Sequence, residues 1–179
     1  MELLLHWRNQ LLVASIAAVL GLAPPLATNA HAQAQAAGAS AADEKGIRDA
    51  TALFYDAMNS ALHGDLAPIG VVWSHSADVT DLGGVGDRAL GWNAVRADYQ
   101  NMSRLYPDGR IAPQDVIVVV GIELGYSVCN ETGQLRSPEG PIVHFTRRAT
   151  NIFRREGGKW KMVHHHADPG SLPSQGPSR

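Results

Sequence analysis

The run Trp160-Lys161-Met162-Val163-His164-His165-His166-Ala167-Asp168 limits the fold more than any other part of the chain. Its alternation reads as a half-buried β-strand with a side-chain period of two. Trp160, Met162, His164, His166 and Asp168 would share one face, and Lys161, Val163, His165 and Ala167 the other. The first face is apolar at its start and ionisable at its end, as in a strand running from a core into a polar cavity. Just upstream, Gly157-Gly158 is a two-residue hairpin signal. It predicts Glu156 opposite Lys159, Arg155 opposite Trp160 and Phe153 opposite Met162. Continued without interruption, the same register sets Asn151 against His164, Ala149 against His166, and Arg147 against Asp168. Cross-strand partners share a face, so Phe145, Arg147, Ala149, Asn151 and Phe153 join the Trp160 face. A shift of one residue would undo these partners.

Ahead of the hairpin the periodicity is helical. Ser40 and Asp43 are spaced as a capping box. Ile47, Ala50, Phe54, Ala57, Met58, Ala61 and Leu62 then recur on one helical face up to a stop at Gly64. Asp65 caps a shorter helix to about Trp73, with Pro68 in its first turn. Residues 78–82 form a short strand. Trp92, Val95, Tyr99, Met102 and Tyr106 mark a third helix that ends at Pro107-Asp108-Gly109. Residues 115–120, 125–130 and 142–155 are sheet-like, and 131–140 reads as a polar loop. Helices followed by an antiparallel meander make an α+β domain.

The chain has 179 residues. The apolar run 11–23 is broken by Pro24-Pro25 and followed by Ala30-His31-Ala32, a small-x-small cleavage pattern. The expectation is a signal peptide over residues 1–32, export to a periplasm or beyond, and no membrane attachment after cleavage. Thirteen apolar residues are too few for the roughly 20 that a spanning helix needs. Residues 33–42 read as a flexible leader, 43–170 as one domain, and 171–179 as a disordered tail. A net charge of −2 with scattered Lys and Arg argues against nucleic acid as a partner. Cys129 is the only cysteine and reads as a small buried hydrophobe.

Helices ahead of a curved sheet, the segment Trp73-Ser74-His75-Ser76-Ala77-Asp78-Val79-Thr80, the Gly91-Trp92 helix start and the Trp160–Asp168 ending together resemble SnoaL-like proteins. These belong to the nuclear transport factor 2 superfamily. The resemblance implies a cystatin-like cone, with N-terminal helices packed in the concave face of a curved, mostly antiparallel sheet. A cavity would lie at its open end, and two copies would pair through the sheet as a homodimer. The superfamily includes ketosteroid isomerase, polyketide cyclases, dehydratases and binding domains, so fold alone names no reaction.

The expected function is binding of a small, partly apolar molecule in the cone. Trp73, Tyr99, Arg147 and Asn151 would contact it, and His75, Asp78, His164, His166 and Asp168 would be the catalytic candidates. One chemistry is proton transfer, with Asp78, Asp81 or His75 as base and Tyr55, Tyr99 or His166 as donor to a developing enolate. Another is a lyase reaction, because the triplet His164-His165-His166 resembles the ending of iota-class carbonic anhydrases. There Ala167-Asp168 replaces two serines. No cofactor is expected. Zinc is an alternative, since His164 and His166 would lie about 7 Å apart along one face, with Asp168, His75 or Asp78 as a third ligand. A chain in which only the sheet face matters, as an interaction module, is the remaining class. His144 and His165 are expected on the outer face, and His63 at a helix C-terminus.

Overall fold

The computed structural model describes residues 40–83 and 87–169. The expected signal peptide, most of the leader and the tail lie outside them. Helix α1 spans Ala41–Leu62. Its start is a capping box: the Asp43 N–H donates to Ser40 Oγ and the Ser40 N–H to the Asp43 carboxylate, each at 3.2 Å. Ala41 and Ala42, expected in the leader, are the first residues of this helix, which Ser40 caps. Ile47, Phe54, Met58 and Leu62 are buried along one face, as their spacing requires. At the other end His63 Nδ1 meets the Asn59 carbonyl at 2.7 Å, which also accepts the His63 N–H at 3.3 Å.

Helix α2, Ala67–Val72, carries Pro in its first turn, and the Ala67 N–H donates to Asp65 Oδ1 at 3.0 Å. After β1, Thr80–Leu82, and β2, Ala89–Leu90, comes α3, Trp92–Leu105. The remaining strands are β3 (Arg110–Val120), β4 (Leu124–Arg136), β5 (Ile142–Glu156) and β6 (Lys159–Pro169). They make one six-stranded sheet in the order β2-β1-β6-β5-β4-β3. Only β1 against β6 is parallel. The sheet curves around α1, whose apolar face packs on its inner side, giving the α+β cone.

Strands β3 and β4 run farther than the sequence pattern suggested. β4 pairs with β5 through Arg136↔Ile142, so residues 131–136 are strand rather than polar loop. Pro113 sits within β3, which is an edge strand, where a missing N–H costs no ladder bond on the open side. Gly133 is fixed by crowding: a Cβ there would lie 2.4 Å from the Arg110 carbonyl oxygen and 2.8 Å from Phe145 Cζ. Gly133→Ala is expected to cost about 1–3 kcal/mol, as overpacking against backbone does. Urea unfolding checks this, and unchanged stability would mean that β3 does not press on this position.

The hairpin forms as its Gly-Gly turn predicts: Glu156↔Lys159, Arg155↔Trp160 and Phe153↔Met162 are all paired. Beyond Met162 the register then slips by one. Ile152 faces His164, and Val163 is the unpaired extra residue of a β-bulge. One inserted residue turns every later side chain to the other face. Asn151 therefore faces His165 rather than His164, Ala149 faces Ala167 rather than His166, and Arg147 faces Pro169 rather than Asp168.

Candidate functional site

The bulge decides which histidine enters the cone. Met162, His165 and Ala167 point inward from β6, and His166 is exposed. The inner face of β5 supplies Ala149, Asn151 and Phe153, as its alternation predicted. From β4 come Ser127, Cys129 and Glu131. Helix α1 contributes Thr51 and Tyr55 from above, so a polar cluster closes inside the apolar shell.

Its geometry is tight. His165 Nδ1 lies 2.8 Å from Asn151 Oδ1, and His165 Nε2 lies 3.6 Å from Glu131 Oε1. The Tyr55 hydroxyl donates to Glu131 Oε1 at 3.0 Å and touches Cys129 Sγ at 3.1 Å. Asn151 Nδ2 donates to Ser127 Oγ at 3.2 Å and reaches the Tyr55 oxygen at 3.4 Å. Glu131 and His165 are each 1 % exposed. The Phe54 ring stands over the imidazole with centroids 4.9 Å apart. Burial of this kind disfavours charge. It pushes Glu131 up to about 7 and His165 down to about 3, so at neutral pH the imidazole carries no charge. The Tyr55 hydroxyl is raised above its usual range by burial and by Glu131.

A second polar group lies next to the first. Asp81 pairs with His165 across the parallel strands, and burial, helped by the charge of Asp98, lifts its carboxyl to about 7. Room between these two is small. A Cβ on Gly83 would sit 2.9 Å from Asp81 Oδ1 and 3.3 Å from His165 Cδ2. The Tyr99 hydroxyl lies beside both Asp81 and the Trp73 indole. Yet Asp81 Oδ1, Tyr99 Oη and Trp73 Nε1 are all buried without a partner in hydrogen-bond geometry. Unpaired buried polar atoms cost free energy, and here three of them cluster. Asp81, Asp98, Tyr99, Glu131 and His165 line a cavity of about 20 Å³ whose apolar walls are Met58, Met102 and Ile111. Roughly 10–15 Å³ is enough for one water.

Several expected site residues lie elsewhere. His75 is exposed, stacked on Trp92 with ring centroids 4.4 Å apart, and its Nε2 meets the Gly70 carbonyl at 2.9 Å. Asp78 is exposed and held by Arg154 at 2.7 Å and by the Ser76 hydroxyl, which keeps its carboxyl well below the usual range. His164 Nδ1 bonds Thr80 Oγ1 at 2.7 Å. The pair expected between Arg147 and Asp168 forms instead between Arg148 and Asp168, at 3.1 and 2.7 Å. Arg147 stays on the inner face, its guanidinium 4.5 Å from the Phe145 ring centroid and within 3.4 Å of the Gly83 carbonyl. The zinc set of His164, His166 and Asp168, His75 or Asp78 is thus not assembled. Among the described residues no other group of three His, Cys, Asp or Glu side chains is arranged for a metal. Ala167, at the first serine position of the carbonic-anhydrase ending, presents a buried methyl group.

Trp73, Tyr99 and Asn151 are inside the cone, as are Tyr55 and Asp81 from the proton-transfer reading. Glu131 was missed, because the inner face of β4 reads Gly-Ser-Cys-Glu and shows no apolar alternation. The length of β5 was the available signal, since a strand of fifteen residues needs a partner that extends past position 131.

The SnoaL-like domain family matches residues 47–171, most of the chain and all of the cone but the first turns of α1. The chain belongs to the SnoaL-like family. Solved structures share the fold of this SnoaL-like domain. A Streptomyces avermitilis protein named as a dehydratase of the NTF2-like family is 23% identical, covers 74% of this chain and 100% of its own, and superposes with a TM-score of 0.66. An NTF2-like superfamily protein from Salmonella enterica is 13% identical over 77% and 98%, with a TM-score of 0.67. A Shewanella frigidimarina protein named after ketosteroid isomerase is 16% identical over 69% and 94%, at 0.57. At these identities the likeness carries the fold and no activity. No curated protein matches the chain.

Proposed function

We propose that this SnoaL-like domain binds a small, partly apolar molecule at the Asp81–Glu131–His165 cavity and moves a proton on it, as an isomerase or dehydratase does. One observation carries the reading: two carboxyls held near pH 7 and a neutral imidazole line the same small cavity. General acid–base catalysis works best when the catalytic group titrates near the working pH. Raised carboxyls in a dry pocket are a recurrent way to reach that condition. The unpartnered Tyr99 hydroxyl offers a donor to a developing oxyanion. Thioether side chains repack readily, so Met58 and Met102 are the walls that yield to a ligand larger than one or two heavy atoms. A ligand anion would meet Asp81, Asp98 and Glu131, which disfavours bicarbonate and favours uncharged substrates.

Deuterium exchange at the α-carbon of small cyclic enones, followed by proton NMR, tests this. Exchange above the buffer rate is expected, falling at least about 100-fold in Glu131→Gln or Asp81→Asn. Exchange at the buffer rate across the panel, with no enone-induced shift of the Tyr99 or His165 resonances, would overturn it. We further propose export to the periplasm and pairing of two copies through the outer sheet face. Ile117, Val119, Leu124 and Tyr126 are exposed there and adjoin in the β3–β4–β5 register. Native mass spectrometry is expected to show a dimer that Val119→Glu dissociates. A wild-type monomer at micromolar concentration would contradict the pairing.

A further inference from the structure

We infer that Thr51 and Ser127, neither of which touches the cavity, set which nitrogen of His165 is basic. They do so through a one-way hydrogen-bond chain that starts at the backbone of α1. The inference rests on His165 serving as a proton-transfer group beside Glu131.

Proton counting gives the direction. Thr51 Oγ1 lies 2.8 Å from the Ile47 carbonyl oxygen and 2.9 Å from Ser127 Oγ. A carbonyl only accepts and a hydroxyl has one proton, so both Thr51 contacts hold a proton only if Thr51 donates to Ile47 and receives from Ser127. The Ser127 proton must then fill the contact with Thr51, and Ser127 has none left to offer Asn151. It accepts, which requires the NH₂ end of Asn151 at the 3.2 Å contact. The second proton of that NH₂ points at the Tyr55 oxygen, 3.4 Å away, while the Tyr55 proton goes to Glu131 Oε1. Asn151 therefore turns its carbonyl oxygen to His165. At 2.8 Å that oxygen can be satisfied only by a proton on Nδ1.

Every contact in the chain then holds one proton. With Asn151 turned over, Ser127 would donate to it instead, and the single Thr51 proton would leave one of its two contacts, to Ile47 or to Ser127, without a proton. Two facing lone pairs inside a dry core are costly. The consequence lands on Nε2, which is left with its lone pair, facing Glu131 Oε1 at 3.6 Å. His165 is thus delivered to the cavity as an acceptor, and Glu131 is the group that brings the proton. Hydrogen bonding at one ring nitrogen commonly selects the state of the other. Here the selector is two hydroxyls and one helix carbonyl removed. Thr51 and Ser127 are positioning residues.

Nitrogen-15 NMR of the ligand-free protein at pH 7, with the His165 ring assigned by His165→Gln, reads the tautomer directly. The wild type is expected to show a protonated-type Nδ1 and an unprotonated-type Nε2. Thr51→Val keeps the shape but removes the hydroxyl. It frees the Ser127 proton to turn toward Asn151, and a population with the proton on Nε2 is expected to appear. Thr51→Ser is expected to restore the wild-type signals. A wild-type ring protonated at Nε2 would overturn the inference without help from any variant, as would a folded Thr51→Val protein whose tautomer is unchanged. Because no substrate is present, this outcome is independent of the enone exchange. A correct tautomer with no exchange would sink the catalytic reading and leave the relay standing.

Discussion

Between pH 5 and pH 8 the domain is expected to lose about 3 kcal/mol of stability. Burial lifts Asp81 from 3.8 and Glu131 from 4.5 to about 7. A carboxyl raised in this way holds its proton more tightly in the folded chain. Its contribution is complete below the unfolded value and is lost as the pH rises through 7. Over the stated interval the two carboxyls together cost about 5 kcal/mol. His165 acts in the opposite sense. Its folded value falls from 6.5 to about 3, so the unfolded chain binds the extra proton below pH 6.5, and the rise to pH 8 returns about 2 kcal/mol. Urea unfolding at a series of pH values measures the difference. In the double variant Asp81→Asn, Glu131→Gln the lowered His165 and His164 outweigh the raised Asp98 that is left, and the slope is expected to reverse. A wild-type stability that is flat or rising from pH 5 to pH 8 would show that these carboxyls are not held dry.

Phe54→Ala is expected to cost about 3–5 kcal/mol, the usual range for removing a fully buried aromatic ring. The side chain is completely buried on the inner face of α1. Its ring meets Tyr55 at 5.1 Å, Trp73 at 6.4 Å and His165 at 4.9 Å between centroids. It thus joins the helix to both polar groups of the cavity. Truncation leaves a void beside the imidazole and admits water to it, so the His165 pKa is expected to move back toward 6.5 as stability falls. Phe54→Leu retains most of the apolar bulk and is expected to lose a smaller part of both effects. A loss below about 1 kcal/mol for Phe54→Ala would mean that the helix does not pack on the site as described.

The architecture was legible because its signals are local. Ser40 with Asp43, Pro68 at a helix start and Gly157-Gly158 at a turn each act over two to four residues, and each forms the structure its chemistry favours. The β5 alternation also held, placing Ala149, Asn151 and Phe153 inside. On β6 the reading of the site failed at a single residue. A bulge at Val163 carries no mark of its own in the local sequence, since valine suits a regular strand equally well. What selects it is tertiary: His165 fits between Asn151, Glu131 and Phe54, while His164 finds Thr80 and Asp168 finds Arg148 outside. A period-two reading has no access to those partners. It therefore gave the cavity to His164 and His166. Asp81 and Tyr99 were legible only as residue types, because their convergence depends on β1 pairing with β6 in parallel, 84 residues along the chain.

The bulge in β6 buries His165, uncharged, in the cone. A pH titration of the assigned His165 ring, followed by carbon-13 and nitrogen-15 NMR, reads that charge. The ring is expected to stay neutral from pH 8 down to about 4.5. A His165 that takes up a proton near pH 6.5 would contradict the account.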